Sequence, residues 1–526
     1  MFEGLLAPIG HHTSYWMLGG IIVCGIIDKA IRARRRNPRL LPRPPGPKGL
    51  PILGSALEMP REQPWLVYDQ WFKVYGDMVY FEVLGQPFLV LGSLRRTTDL
   101  FDRRSSIYSD RPRMPMLIEL MDWTFNMVLM PYGPWWRQHR KTFNEYFHQN
   151  AVAKYIPVQQ HEVRVFLYEL LRKPQDFMES SRHMFAATIM RVVYGIRIKD
   201  STDPSVAAAE KALEILNTAG TPGAFLVDVL PILKYVPSWL PGAGFKKKAA
   251  KWKKYNTLIV ERPFQRVEEL LREGEALPSM ASALLERLPE RNDPSYVEER
   301  KLGQNATCLA YLGGADTTLS AVHSFFLAMI LYPEVQRKAQ AELDLIVGQH
   351  RLPDFSDYDF LPYINALAKE TMRWHLVTPL AIPHRCTEDN EYDGFFIPKG
   401  TIVMGNAWTI LHDPVAYPSP SEFRPERFLK DGKLDPTVRS PDCAAFGFGR
   451  RICPGRHMSN NSLYCVISSF LAVYNISAPL DSLGNPVDVQ PEFNDGLVSF
   501  PLPFKCTIKP RSPQAEALIR SGIEMD

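Results

Sequence analysis

The chain has 526 residues, 45% apolar and 11% aromatic, which is ample for a large core and unlike a disordered protein. A formal net charge of +4 is small for this length, so the overall charge gives no reason to expect nucleic acid as a partner. Seven cysteines, odd in number and scattered, argue against a disulfide framework and for a reducing compartment.

Residues 5–27 carry no Asp, Glu, Lys or Arg, and Tyr15 to Ile27 is an uncharged apolar run. A helix of that length spans about 34 Å, enough for a bilayer core. His11, His12, Thr13 and Ser14 interrupt the stretch, so a cleaved signal peptide is the competing reading. No small-residue cleavage site follows. Instead Arg32, Arg34, Arg35, Arg36 and Arg39 come next, and arginines there hold the chain beyond them in the cytoplasm. Residues 28–51 read as a basic, proline-rich hinge, stiff rather than flexible, 52–510 as the main body and 511–526 as a C-terminal tail.

Short strands are expected over 79–83 and 88–91, around the turn Gly85-Gln86-Pro87. Helical periodicity dominates from about residue 96 to 376, broken by proline-glycine clusters near 131–134, 221–223 and 241–244. Within it, Trp136 and Arg140 stand at i,i+4 in the one Trp-x-x-x-Arg of the chain. The apolar, proline-interrupted stretch 225–240 precedes Lys246, Lys247, Lys248, Lys251, Lys253 and Lys254. That composition suits the boundary of an anionic bilayer, although a core helix followed by a solvated one would read alike.

Gln304 to Tyr332 is one long apolar helical pattern with Gly313-Gly314-Ala315-Asp316-Thr317-Thr318 at its middle. Two mid-helix glycines cost about 1 kcal/mol each relative to alanine, which a flat ligand or a close helix crossing would explain. Glu370 and Arg373 share a helix face, but the same spacing at Glu169/Arg172, Glu269/Arg272 and Glu334/Arg337 makes that motif weak by itself. Beyond Pro379 come Ile382-Pro383-His384-Arg385, strand-like runs at 392–397 and 401–404, and Phe423-Arg-Pro-Glu-Arg427-Phe428. Then Phe446-Gly-Phe-Gly449-Arg-Arg451-Ile-Cys453-Pro-Gly455 leads into a helical pattern, with Pro454 expected in its first turn. Amides at a helix start favour an anion, so Cys453 reads as a metal ligand or nucleophile, with a buried free thiol as the plain alternative.

The spacing Phe-x-x-Gly-x-Arg-x-Cys-x-Gly resembles the haem-thiolate loop of cytochrome P-450 monooxygenases, and the other motifs follow that family's order over roughly residues 42–510. The resemblance implies a mainly α fold with a small β region, the cytochrome P-450 fold, preceded by a single N-terminal transmembrane helix. It implies heme b as cofactor with Cys453 as the axial iron ligand, Phe446 beside the sulfur, and Gly455 in the loop. Trp136, Arg140, Arg451 and His384 (with Arg385 as rival) would meet the propionates, since arginine's planar fork suits carboxylates. Thr317 would donate a hydrogen bond towards activated dioxygen, with Asp316 relaying protons. Glu370, Arg373 and Arg427 would form a buried network that fixes geometry rather than adding free energy.

The implied reaction is insertion of one atom of O2 into a lipophilic small molecule, with a terpenoid or other specialised metabolite as first expectation. Phe125, Leu309, Ala310, Gly313, Thr378, Leu380, Ile382, Leu497 and Val498 would line its pocket. The chain shows no dinucleotide fingerprint, so electrons would come from a separate NADPH-cytochrome P-450 reductase. Membrane lipid is a further expected partner, and the endoplasmic reticulum membrane the expected location, with the catalytic body cytoplasmic. Two rivals are a haem-thiolate isomerase or dehydratase needing no reductase, and a non-catalytic haem- or sterol-binding membrane protein.

Overall fold

The structure, a computed structural model, describes residues 31, 34–198, 204–221 and 223–524. The expected anchor over 5–27 lies outside the described residues. Helix α1, Pro64–Tyr75, packs on a hairpin of β1, Met78–Val83, and β2, Gln86–Leu91. Leu84 and Gly85, at φ +50° and +81°, make the two-residue turn, one position earlier than expected. Further strands are β3, His384–Arg385, β4, Asn390–Tyr392, β5, Phe395–Ile397, and β6, Ile402–Gly405. One sheet runs in the order β1-β2-β6-β3, with β2 parallel to β6 and the other pairs antiparallel. The expected run 392–397 is instead the end of one hairpin, because Asp393 and Gly394 turn the chain between β4 and β5.

The proline-rich hinge is docked rather than free. The amide of Tyr80 donates to Pro45 O at 2.8 Å and that of Phe396 to Pro42 O at 2.9 Å. Arg36 pairs with Asp389 and Arg39 with Glu391, at 2.5 and 2.9 Å.

The helices that carry the body are α2, Pro134–Phe147, α3, Ile156–Arg172, α4, Phe177–Tyr194, and α5, Pro204–Gly220. They continue with α6, Gly244–Glu273, α7, Tyr296–Leu331, α8, Pro333–Ile346, α9, Pro362–Trp374, α10, Arg456–Val473, and α11, Pro513–Glu524. Helix α7 begins earlier than its apolar pattern, because its first turns are polar and carry Glu298 and Glu299 at the positive end of the helix dipole. It is long and apolar enough to cross a bilayer, yet 83% of its most apolar window is buried inside the protein. It is the core helix, packed against α2, α4, α6 and α10 and apolar on nearly every face. The described part of the expected tail is helical and docked: α11 buries Ala515 and Ile519 against α3, and Arg511 ahead of it pairs with Asp344 at 2.5 Å.

Candidate active site

Between α7 and the cysteine loop lies a cavity of about 320 Å³. Its wall takes Trp136 and Arg140 from α2, Leu309, Ala310, Gly313, Asp316 and Thr317 from α7, and Thr378, Ile382 and His384 from the chain leading into β3. Phe446, Arg451, Cys453 and Gly455 form the loop side, and Leu497 and Val498 close another edge.

The loop shape follows from its glycines. Gly447 and Gly449 sit at φ +76° and +55°, and a Cβ on Gly449 would stand 2.1 Å from the carbonyl oxygen of Phe101. The chain therefore turns tightly enough for the Cys453 amide to donate to Phe446 O at 2.8 Å. Helix α10 starts at Arg456, with Gly455 as its cap residue, so Pro454 precedes the helix instead of occupying its first turn. The amides of Gly455 and Arg456 do reach the Cys453 thiol. Burial outweighs them and pushes the thiol up, although Arg140 and Arg456 also favour the thiolate. Among the described cysteines only Cys453 is on the cavity wall.

Three guanidiniums converge on the same wall. Arg140 donates to Ile452 O at 2.5 Å, and Arg451 to the carbonyls of Ser109, Met127 and Met130 at 2.8–3.2 Å. Arg111 donates to the carbonyls of Val128, Ile382 and Pro383 at 2.7–2.8 Å. None of the three pairs with a carboxylate among the described residues, and Arg451 also lies over the Trp136 ring, 4.4 Å from its centroid. Burial holds all three below the usual guanidinium range, Arg451 at about 10. Arg111 carries no recognisable motif around it, and sequence reasoning missed it. His384 donates from Nδ1 to Tyr108 O at 2.6 Å, and burial beside Arg111 and Arg451 keeps its ring neutral. Its rival Arg385 is off the wall and paired with Asp110. A deep thiol beneath helix-start amides, ringed by cations that lack counter-ions, is a donor set that fits haem b and its two carboxylates.

On α7 the paired glycines divide the work. A Cβ on Gly314 would stand 2.7 Å from the Ile189 side chain, so α4 crosses closely there. A Cβ on Gly313 would meet nothing within 4 Å, because that position opens on the cavity. Thr317 donates its hydroxyl to Gly313 O at 2.7 Å, leaving lone pairs rather than the expected donor for the cavity. Asp316 is buried and pairs with Arg182 at 3.1 Å; burial raises its carboxyl while Arg182 opposes the shift.

Glu370 and Arg373 are wholly buried and joined twice, at 2.7 and 2.8 Å, and Arg427 reaches Glu370 at 3.1 Å. The two arginines then donate to the carbonyls of Leu411, Pro418, Ser419, Pro420 and Glu422. The network thereby pins the irregular chain that precedes the cysteine loop.

Two expected wall residues lie elsewhere. Ala381, at φ +53°, closes a turn with its amide on Thr378 O, and the corner residue Leu380 packs on the β1–β2–β6 side of the sheet. Asp122, at φ +63°, reverses the chain after residue 120, so Phe125 lies tilted against Trp123 with ring centroids 5.2 Å apart, and Asn126 to Leu129 reach the cavity instead. The roof residues Phe185, Leu213 and Leu216 had no signal beyond ordinary helical periodicity.

Residues 44–508 match the family described as Cytochrome P450. The chain is 46% identical over 514 residues to cytochrome P450 monooxygenase COX2 of Coprinopsis cinerea, covering 98% of this chain and 96% of that one. It is 41% identical over 503 residues to tryptamine 4-monooxygenase of Psilocybe cyanescens, covering 95% and 98%. Against cytochrome P450 monooxygenase claR of Ampulloclitocybe clavipes the identity is 42% over 479 residues, covering 91% and 88%. With that breadth of likeness and a cavity wall of this chemistry, the chain belongs to the cytochrome P450 family and is a haem-thiolate monooxygenase that carries haem b on a cysteine thiolate.

Proposed function

We propose that this monooxygenase is membrane-bound and oxygenates a neutral, lipophilic small molecule of secondary metabolism, with a terpenoid skeleton as first choice. Cys453 would hold the haem iron through its thiolate in this reading. Arg140, Arg451, Arg111 and Trp136 would hold the propionates, with His384 beside them, and Phe446 and Gly455 would shape the space beside the sulfur. Bound haem b supplies the thiolate-assisted activation of dioxygen. The protein's own groups bind substrate, keep water from the apolar roof and deliver protons. Asp316 is the acid that would hold a proton at the cavity wall, Thr317 Oγ offers an acceptor there, and partly exposed Arg182 ties the Asp316 carboxylate to the surface side.

The observation that carries the reading is the one cavity-wall thiol beside three unpaired guanidiniums. Cys453→Ser is expected to abolish the thiolate-type Soret band of the ferrous–CO complex, and retention of that band would sink the assignment. Neutral substrates are favoured because Asp316 is the one carboxylate on the wall among the described residues, and Arg182 already engages it. Type I spectral shifts with sesquiterpene or diterpene scaffolds support the terpenoid choice; turnover of tryptamine with no response to terpenes refutes it.

Electrons come from NADPH through a separate reductase docking on the cysteine side. Arg137 and Arg450 gather around Tyr132 there, with Lys141 and Arg456 nearby in sequence, and none of the four pairs with a carboxylate among the described residues. A second face suits lipid. Leu226, Ile232, Tyr235 and Trp239 are 64–77% exposed, just ahead of the lysine-rich start of α6. Together with the anchor expected over 5–27, this face supports a cytoplasmic body resting on the endoplasmic reticulum membrane.

A further inference from the structure

Helix α5 and the loop 493–501 meet over the cavity, and both contribute to its wall: Leu213 and Leu216 from the helix, Leu497 and Val498 from the loop. The loop is internally closed. Phe493 bridges Pro501, the amide of Asn494 donates to Phe500 O at 2.9 Å, and the Ser499 hydroxyl donates to Asn494 O at 2.9 Å. Its base is fastened to the body, with the Ser499 amide on Val377 O at 2.8 Å and the Ser320 hydroxyl on Ser499 O at 2.5 Å.

The tip has two attachments: on the side of α1 the amide of Gln63 donates to Asp495 Oδ1 at 2.8 Å, and on the side of α5 a single residue holds it. The amide of Val498 donates to Asn217 Oδ1 at 2.8 Å, and Asn217 Nδ2 donates to Val498 O at 3.3 Å. One carboxamide thus stands in for a neighbouring strand, satisfying both main-chain groups of a cavity-wall residue. The approach is unusually close. A Cβ on Gly496 would stand 2.4 Å from the Asn217 amide, and one on Gly220 would stand 2.9 Å from Leu497. Asn217 is only half-buried, so this clasp sits at the boundary between cavity and surface.

We propose that Asn217 is a latch that closes the roof between α5 and the 493–501 loop, and so sets the size of molecule admitted to the cavity. The idea rests on the reading that this cavity takes haem and substrate. Two main-chain hydrogen bonds to one flexible side chain are few enough to break reversibly, while the loop base stays fastened. A small molecule can pass a closed roof by side-chain motion alone; a bulky one needs α5 and the loop tip to separate. Asn217 is a positioning residue in this scheme and takes no part in the chemistry.

The test uses the full-length, haem-loaded protein with two nitrogen-ligating probes, imidazole and the bulky apolar azole clotrimazole, followed by type II spectral shift in stopped flow. Asn217→Leu removes both bonds, and Gly496→Ala displaces the amide by contact while the Asn217 side chain itself is kept. Each should speed clotrimazole association by about tenfold, as expected for losing one to two hydrogen bonds, and leave imidazole association unchanged. The double variant should add nothing further, because both changes open the same contact. Hydrogen exchange at 493–500 should quicken in each variant. Unchanged clotrimazole rates in folded variants with faster exchange would overturn the latch, as would equal acceleration of both probes. Loss of every spectral response in the parent protein would instead count against the cavity as the haem site.

Discussion

At the scale of single residues, neighbouring positions on α7 do unrelated jobs. Gly314 exists for the α4 crossing and Gly313 for the cavity, so the same kind of substitution should have different effects. Gly314→Leu is expected to cost about 1–3 kcal/mol through overpacking against Ile189, read as a lower Tm. Gly313→Ala should hold or raise Tm, since alanine is the better helix former by about 1 kcal/mol, yet weaken binding of bulky ligands. Equal destabilisation by both would mean that the two positions share one packing role. Thr317 adds a third case. Its hydroxyl already serves Gly313, so Thr317→Ala should leave the helix and the haem spectrum intact while NADPH oxidation runs increasingly to hydrogen peroxide. Full coupling to product in that variant would reduce Thr317 to a back-bonded packing residue.

Among the elements, the Glu370–Arg373–Arg427 network shows how buried charge can serve shape. Its carboxylate is shared by two guanidiniums, and these hold five carbonyls of a segment that has little regular structure of its own. Glu370→Gln leaves two buried cations short of their counter-charge, at a cost of about 3–5 kcal/mol. The expected result is a protein that loads little haem, visible as a lost Soret band beside retained far-ultraviolet circular dichroism. Full haem content in that variant would show that the cysteine loop keeps its shape unaided.

The same element scale explains what was legible beforehand. Cys453, Trp136/Arg140 and Glu370/Arg373 could be found because their chemistry depends on spacing within one turn or one loop. Arg111, Phe185, Leu213 and Leu216 meet the cavity only through the packing of distant segments, which leaves no local pattern. Leu380 and Phe125 were misplaced because left-handed Ala381 and Asp122 redirect the chain, and neither residue type announces that conformation. The broad helical stretch and the first hairpin followed from periodicity, whereas β3 and the turn between β4 and β5 did not. The start of α7 and the order of its surroundings did not, since polar first turns resemble a loop in sequence.

For the whole molecule, two surface groups stand out, one cationic and one that mixes apolar side chains with lysines. The cations around Tyr132 lie on the cysteine side, and the exposed Trp239 group lies with the α6 lysines. A partner approaching the first face would be steered over roughly the Debye length, about 8 Å at physiological salt. Lys141→Glu should therefore slow reduction by the reductase and flatten its salt dependence, while peroxide-driven turnover stays near that of the parent. Equal losses in the two assays would indicate damage to the site instead of weaker docking.

The docked hinge has a mechanical consequence. Residues 36–45 are fastened along the sheet by two ion pairs and two main-chain bonds, all on the β1 and β4–β5 side. The strip from Arg36 to Pro45 therefore behaves like a bracket bolted at several points and unlike a tether held at one. Tension applied at that end would load the fastenings one after another, peeling Arg36 and Arg39 before Pro42 and Pro45. The four fastenings reach β1, β5 and the chain at 389–391 and none reaches a helix that frames the cavity, so a pull on this strip would spend itself on the sheets first.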